Sequence, residues 1–170
     1  LFCRAACHAG LPGTPYDEVA NLLSIHTGGF TSFLETNTVL PSQTGQAASQ
    51  RSLVFFRLKA LEGELEAALD LAFKLMLDAD FSDSARVKDL LFELRNDFKA
   101  QLIPAGHSFA SLRAGSRLSA VVAAEERWKG ITQFFHLNGI ANPESIESVC
   151  GALVEARKEI MTRARVTTIV

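Results

Sequence analysis

The sequence has few cysteines, no long uncharged apolar run and no excess of positive charge. Its three cysteines form no even set, and a chain of 170 residues can bury a core without disulfides, so we predict no disulfide framework and favour a reducing compartment. The apolar stretch at residues 118–124 is far shorter than the roughly 20 residues of a membrane span. A net charge of −2, without a run of Lys and Arg, argues against a surface for nucleic acid or anionic membranes.

The common catalytic motifs are also missing. A zincin-type site needs two His on one helical face with a Glu between them, as in H-E-x-x-H or H-x-x-E-H, and none of the four His has this arrangement. The sequence contains no G-x-S-x-G, G-x-G-x-x-G or P-loop pattern either. We therefore predict no catalytic, cofactor-binding or metal-binding residue in this chain.

Two local patterns have a functional and a structural interpretation. Cys3 and Cys7 lie on one helical face beside His8 and could be metal ligands, but no second Cys or His pair has matching spacing, so apolar packing is favoured. Thr27-Gly28-Gly29 could bind an anion. We favour a helix C-cap that leads into a strand, because anions prefer helix N-termini.

Two further patterns are weaker. His107 follows Gly106 at a predicted helix start, where it is either a base or, as we favour, a capping and packing residue. The acidic pair Glu125-Glu126 lies beside Arg127 and Lys129 on a helix, which predicts a solvated face.

The N-terminal half predicts two helices followed by two strands. Thr14 is expected to cap the second helix, with Pro15 at its first position, and Gly28-Gly29 to end it. The first strand has mixed faces, whereas the second has apolar residues on one face and Arg57 and Lys59 on the other. The polar segment between the strands predicts a hairpin loop. The predicted elements are helices at 2–9 and 15–26, strands at 30–39 and 52–61, and a loop at 41–50.

After Gly63 the apolar period changes from 2 to 3.6, which predicts four helices. The first has an apolar stripe that includes Leu65, Ala68, Ala72 and Phe73. The predicted segments are 64–79, a helix capped by Asp83 that ends near Pro104, a helical region at 107–128 with a further turn or two at 131–137, a last helix from Asn142-Pro143 to about 160, and a strand start at 165–170.

This order predicts an α+β fold in one domain, residues 1–170, with a mostly antiparallel sheet and helices packed on one face. Two or three strands are few for so much helix, so we expect the sheet to be incomplete. The chain begins with Leu1 and lacks a signal-peptide layout, and it stops within a β-prone segment. We therefore expect a fragment of a longer protein.

Several segments of the chain occur together in a characteristic order. They are Pro-Tyr-Asp-Glu-Val-Ala at 15–20, Ile-His-Thr-Gly-Gly-Phe at 25–30, Gly106-His107, Ala110, and 126–137 with Gly130 and Phe134-Phe135. Together they resemble the pitrilysin/insulinase-type zinc metallopeptidases, and among them the presequence-protease branch with its falcilysin-like enzymes. The resemblance covers nearly the whole chain, in the segment that follows the linker between the two halves of such an enzyme.

The resemblance implies a metallopeptidase-like domain from the non-catalytic C-terminal half. In this family the H-x-x-E-H zinc motif lies in the N-terminal half, and the two halves close like a clamshell around an unfolded peptide. No position here matches a zinc ligand, so zinc is expected in the catalytic half only. The implied partners are that half and peptide substrates, with a dimer through the exposed sheet edge as a further possibility.

Three interpretations follow. We favour a non-catalytic portion of a zinc-dependent oligopeptidase that helps to enclose unfolded peptide, in the cytoplasm or an organelle matrix. The alternatives are a zinc-free scaffold or interaction subunit of the same fold, as in respiratory-complex cores, and an unrelated α+β binding module. Arg57, Lys59 and His26 are candidates for chamber-facing positions, but they also fit solvated faces, so we assign no substrate-binding residue.

Overall fold

The structure is a computed structural model of the chain that describes residues 1–39, 49–162 and 165–169. The two strands pair in an antiparallel sheet, as predicted for an α+β fold. The elements are α1 (Phe2–His8), α2 (Tyr16–His26), β1 (Gly29–Val39), β2 (Ser49–Lys59), α3 (Leu65–Asp78), α4 (Ser84–Gln101), α5 (Gly106–Gly115), α6 (Ala120–Lys129), α7 (Ile131–Ile140) and α8 (Ile146–Ile160), with 3-10 turns at Glu62–Glu64 and Pro143–Ser145.

The chain forms two compact units. Unit 1 contains Leu1–Phe33, Phe56–Leu91 and Pro143–Val170, and unit 2 contains Leu34–Phe55 and Phe92–Asn142. Each unit has its own buried side chains.

The core of unit 1 lies between the hairpin and the helices α1, α2 and α3. Phe30 of β1 and Phe56 of β2 stack with their ring centroids 5.9 Å apart, and Val19, Leu71 and Leu75 pack in the same cluster. The alternation of side chains in a strand turns these apolar residues to one face of the sheet. The opposite face is exposed, with Thr31, Arg57 and Lys59 directed to it. Within this unit β2 thus has the packed and exposed faces that the sequence predicts.

The predicted buried stripe of α3 is partly wrong. Ala68 and Ala72 are buried as expected, but Leu65 and Phe73 are exposed by 41% and 39%, while Leu71 and Leu75 are buried instead. α3 carries apolar residues around more than half of its circumference, so several stripes satisfy the 3.6-residue period. The neighbouring helices and strands select which stripe is buried.

The caps of α2 and α4 differ in how well the sequence predicts them. α2 begins at Tyr16 with Pro15 as its N-cap, so Thr14 does not cap it. The Asp83 cap of α4 is confirmed, because its Oδ1 accepts the backbone N–H of Arg86 at 3.0 Å. This carboxylate satisfies one of the amides that a helix N-terminus leaves without an intrahelical partner.

The helices after β2 number six within the described residues, not four. The helical region predicted at 107–128 is two helices, α5 and α6, and Ser119 caps the second by accepting the N–H of Val122 at 3.5 Å. α7 continues to Ile140, beyond the turn or two predicted at 131–137. α8 begins at Ile146, after a 3-10 turn that holds Pro143.

The strand ends also shift. β2 begins at Ser49 and ends at Lys59, so the predicted loop at 41–50 is shorter by two residues, and its remainder lies outside the described residues. Residues 165–169 form no strand, although a strand start was predicted at 165–170, whose last residue lies outside the described part. A β-prone segment becomes a strand only when a neighbouring strand accepts its backbone hydrogen bonds.

Unit 2 contains a buried carboxylate that the sequence analysis placed on a solvated face. Glu126 is only 3% exposed, and its Oε1 accepts the backbone N–H of Thr132 at 3.1 Å in the first turn of α7. Arg113 of α5 contributes Nη1 at 3.5 Å from Glu126 Oε2 and donates to Thr132 Oγ1 at 3.1 Å. Glu125 behaves as predicted and pairs with Lys129 at 3.0 Å. Glu126 therefore joins α5, α6 and the start of α7.

Gly130 makes this close approach possible. It has φ −95° and ψ −171°, a backbone conformation open to any residue, so its role is steric. A Cβ at this position would lie 2.6 Å from the carbonyl oxygen and 2.8 Å from Cγ of Glu126. A glycine between α6 and α7 leaves the room that the buried carboxylate occupies.

We expect Gly130→Ala to lower the free energy of unfolding by about 2 kcal/mol, as overpacking does in a rigid site. Gly139→Ala is the matched control in the same unit, because a Cβ at Gly139 within α7 meets nothing within 4 Å. Alanine there should stabilise by about 0.5 kcal/mol through its helix propensity. Urea unfolding followed by circular dichroism measures both, and equal effects of the two substitutions would contradict the steric role of Gly130.

Glu126→Ala should destabilise by about 2 kcal/mol, because it leaves the Thr132 amide without its carboxylate acceptor. Glu125→Ala removes the adjacent carboxylate from an exposed pair and should cost no more than about 0.5 kcal/mol. The same urea titration compares the two neighbours. A larger loss at Glu125 than at Glu126 would show that the Glu126 carboxylate does not hold the three helices.

Candidate functional site

A groove of about 430 Å³ lies in unit 1 where α1, α2 and the start of β1 meet the first turn of α4. We name it the Arg86 groove, and its lining includes His8, Tyr16, Leu23, the segment 27–30 and Arg86. Apolar side chains form much of the wall, while an arginine and a tyrosine lie at the same groove. Such a mixture is typical of sites that bury an apolar group and orient it by one polar contact.

The inner wall is apolar and rigid. Cys7, Val19 and Phe30 are each less than 9% exposed and belong to the core cluster of unit 1. Burial raises the pKa of the Cys7 thiol to about 12, and the neighbouring Cys3 adds to the shift. Cys7 is therefore a small apolar packing residue at neutral pH, as the sequence predicted.

The Thr27-Gly28-Gly29 corner uses its polar groups internally. Thr27 ends α2: both its N–H and its Oγ1 donate to Leu23 O, at 2.9 and 2.7 Å. Gly28 N–H donates to Lys59 O at 2.7 Å, and Gly29 N–H donates to Thr27 Oγ1 at 3.2 Å. Gly29 has φ +143°, which glycine adopts without strain. These bonds match the favoured C-cap interpretation, because both glycine amides already have acceptors.

Arg86 is held from two sides. Its guanidinium carbon lies 4.0 Å from the centre of the Tyr16 ring, and its Nε donates to His8 O at 2.9 Å. Stacking on an aromatic face and a fixed Nε bond restrict the rotation of a side chain that is otherwise flexible. Arg86 forms no ion pair with any residue in the described ranges. No sequence pattern singles out Arg86, which lies three residues after the Asp83 cap.

His26 lies beside the groove and has a structural partner. Its Nδ1 is 2.8 Å from Glu64 Oε2, which connects the end of α2 to the turn before α3. Both side chains are partly exposed. Arg57 and Lys59, the other two chamber-facing candidates, are exposed on the outer face of β2. Within the described residues no hydrogen bond or ion pair joins the side chains of these three residues to one another.

Two of the remaining candidates, Cys7 and His8, line the groove, whereas Cys3, His107 and Cys150 are not among its lining residues. Cys3, Cys7 and His8 do not form a metal site, since no three His, Cys, Asp or Glu side chains gather in a metal-binding group within residues 1–39, 49–162 and 165–169. The described residues therefore do not fit a zinc site. His107 is the second residue of α5 and is exposed in unit 2, and Cys150 of α8 is half-buried. None of the helices that the structure describes is long and apolar enough to cross a membrane.

Comparison with known proteins gives a family match over most of the chain. A family model for the domain associated with peptidases of family M16, subfamily C, matches residues 1–140. Presequence protease 1, chloroplastic/mitochondrial, of Arabidopsis thaliana is 22% identical over 165 residues, which are 96% of this chain and 15% of that protein. The mitochondrial presequence protease of Saccharomyces cerevisiae is 25% identical over 167 residues, 95% of this chain and 16% of that protein.

A bacterial protein is similar over a shorter range. An uncharacterised protein of Borreliella burgdorferi is 26% identical over 113 residues, 66% of this chain and 12% of that protein. The chain spans between 12% and 16% of the length of these three relatives.

We expect Cys7 to resist alkylation in the folded protein. A thiol with a pKa of about 12 has about one thiolate in ten thousand at pH 8, and the thiolate is the reactive form. Native protein is treated with iodoacetamide at pH 8 and compared with protein unfolded in guanidinium chloride. Cleavage after Arg4 places Cys3 and Cys7 on separate tryptic peptides, so mass spectrometry reads each thiol separately. Equal labelling of Cys7 in both states would show that the inner wall of the groove is open.

Proposed function

Because the chain belongs to this peptidase-associated family, we propose that it is the non-catalytic portion of a zinc-dependent peptidase and helps to enclose unfolded peptide between two halves of that enzyme. The family match over residues 1–140 carries this proposal. The names of two relatives, presequence proteases, point to a peptidase that acts on targeting peptides. Peptide hydrolysis itself is assigned to the remainder of the polypeptide, which includes the catalytic half as the main partner.

Zinc belongs to that catalytic half in this proposal. The described residues provide no group of His, Cys, Asp or Glu that could hold the ion, so we assign no step of hydrolysis to this chain. The chain instead contributes to the walls that would surround the peptide. Its two units supply helical walls, and the hairpin of β1 and β2 supplies a surface with one packed and one exposed face in unit 1.

The hairpin also offers open edges. Within the described residues β1 pairs only with β2, so the outer edge of each strand presents backbone N–H and C=O groups. An extended peptide can bind such an edge by strand addition, with little dependence on its side chains. This suits a chamber that must accept unfolded peptides of many sequences. A dimer through the same edge stays a prediction.

The names of the eukaryotic relatives are consistent with an organelle as the compartment. They describe those proteins as mitochondrial or chloroplastic. We propose an organelle as the location of this chain, in line with one of the two compartments favoured from the sequence.

The proposed function predicts that the chain alone is inactive. Purified protein is incubated with zinc and a quenched fluorescent peptide of about 20 residues, with and without 1,10-phenanthroline. We expect no cleavage above the blank, because the described residues do not form a zinc site. Chelator-sensitive cleavage by the chain alone would overturn the proposal.

The same proposal predicts an effect within the longer polypeptide of the reading frame, which should carry an H-x-x-E-H motif. Gly29→Val, at a φ of +143°, distorts the start of β1 and should lower kcat/KM for the same peptide at least about fivefold without changing the zinc content. Gly139→Ala serves as the control and should leave kcat/KM unchanged. A reading frame without the motif would favour a zinc-free scaffold subunit instead.

A further inference from the structure

Arg86 is an arginine fixed in position and without a carboxylate partner in the described part of the chain. Its stack on Tyr16 and its Nε bond to His8 O leave the two Nη amino groups without an acceptor there. Asp83 is close in sequence, but its Oδ1 accepts the backbone N–H of Arg86 as the cap of α4. A guanidinium whose side chain is already ordered loses little conformational entropy when it binds a carboxylate by two parallel bonds.

The groove beside it is apolar and small. Leu23 and Phe30 line it together with Arg86, and its volume of about 430 Å³ is in the range of sites that hold one small ligand. A ligand that uses both features must carry an apolar group and a carboxylate a few bonds apart. The last residue of a peptide has this chemistry, because its side chain and its terminal carboxylate share one Cα atom.

The corner that forms one wall cannot bind the carboxylate itself. Gly28 N–H and Gly29 N–H donate to Lys59 O and Thr27 Oγ1, respectively. Arg86 is thus the positively charged donor that the groove offers to an anion. A positive charge next to an apolar wall is complementary to an apolar C-terminal residue with its negative carboxylate. It is not complementary to a peptide whose C-terminus is amidated or whose last residue is basic.

We propose that the Arg86 groove binds the C-terminal residue of a peptide, with the carboxylate on the Arg86 guanidinium and an apolar side chain against Leu23 and Phe30. The inference rests on the proposed function in one respect, since it names which end of an enclosed peptide this chain would hold. The binding itself needs neither zinc nor the catalytic half.

The test uses fluorescein-labelled Ala-Ala-Leu-Phe with a free C-terminal carboxylate and the same peptide as its C-terminal amide. Fluorescence anisotropy with the full chain measures both affinities at 50 and 500 mM NaCl. We expect the free acid to bind at least about tenfold more tightly than the amide at low salt, and the difference to shrink at high salt. Equal affinities, or no binding of either peptide, would overturn the proposal.

Variants locate the site. Arg86→Gln should remove the preference for the free acid, whereas Arg95→Gln should keep it, because Arg95 stacks on Phe92 with its guanidinium carbon 4.4 Å from the ring centre, outside the groove. Since Arg86 also bonds to α1, Ala20→Trp is a second variant that fills the groove without touching that bond. It should abolish binding of both peptides at an unchanged melting temperature. Loss of the preference in Arg95→Gln, or full binding by Ala20→Trp, contradicts the assigned site.

The two proposals can fail separately. If anisotropy shows no preference while Gly29→Val still lowers cleavage in the longer polypeptide, the groove assignment is wrong and the proposed function stands. If the free acid binds through Arg86 but the reading frame lacks a zinc motif, the groove assignment stands and the chain is a peptide-binding scaffold.

Discussion

The arrangement of unit 1 depends on the corner formed by Thr27, Gly28 and Gly29. This corner ends α2 and leads directly into β1. Two bonds from Thr27 to Leu23 O end α2, and its Oγ1 also accepts the N–H of Gly29. The positive φ of Gly29 then turns the chain into β1, so that Phe30 enters the core and Thr31 faces outward. Thr27, Gly28 and Gly29 line the Arg86 groove, so the corner also forms one wall of it.

In unit 2 the buried carboxylate of Glu126 connects three helices. Glu126 supplies the acceptor for an amide at the start of α7 that Gly130 cannot provide, since glycine has no side chain to cap a helix. Arg113 lies close enough to offset part of the cost of burying the carboxylate. Glu126 caps the start of α7, and Gly130 leaves the space that Glu126 needs. The two positions are therefore coupled, so that a substitution of either one disturbs the packing of the other.

The family match supports a non-catalytic part of a peptidase. The resemblance to the presequence-protease branch is confirmed by the match to the peptidase-associated family and by the relatives, while the chamber and its zinc stay proposals. A chain without a metal-binding group in its described residues can still affect hydrolysis by shape and by holding one end of a peptide. Arg86 belongs to no sequence motif. In the proposal it is the residue that would make the holding of a peptide specific for a free C-terminal carboxylate.

The sequence by itself determined the fold class, the two strands, the Asp83 cap and the family, because period, capping chemistry and local motifs are encoded by near neighbours. It did not determine which stripe of α3 is buried, the burial of Glu126, or the pairing of Arg86 with Tyr16 and His8. These features join residues that are distant in sequence: Arg86 and His8 are 78 positions apart. A local pattern shows that a side chain is apolar or charged, but only tertiary packing decides which neighbour desolvates it or gives it a partner.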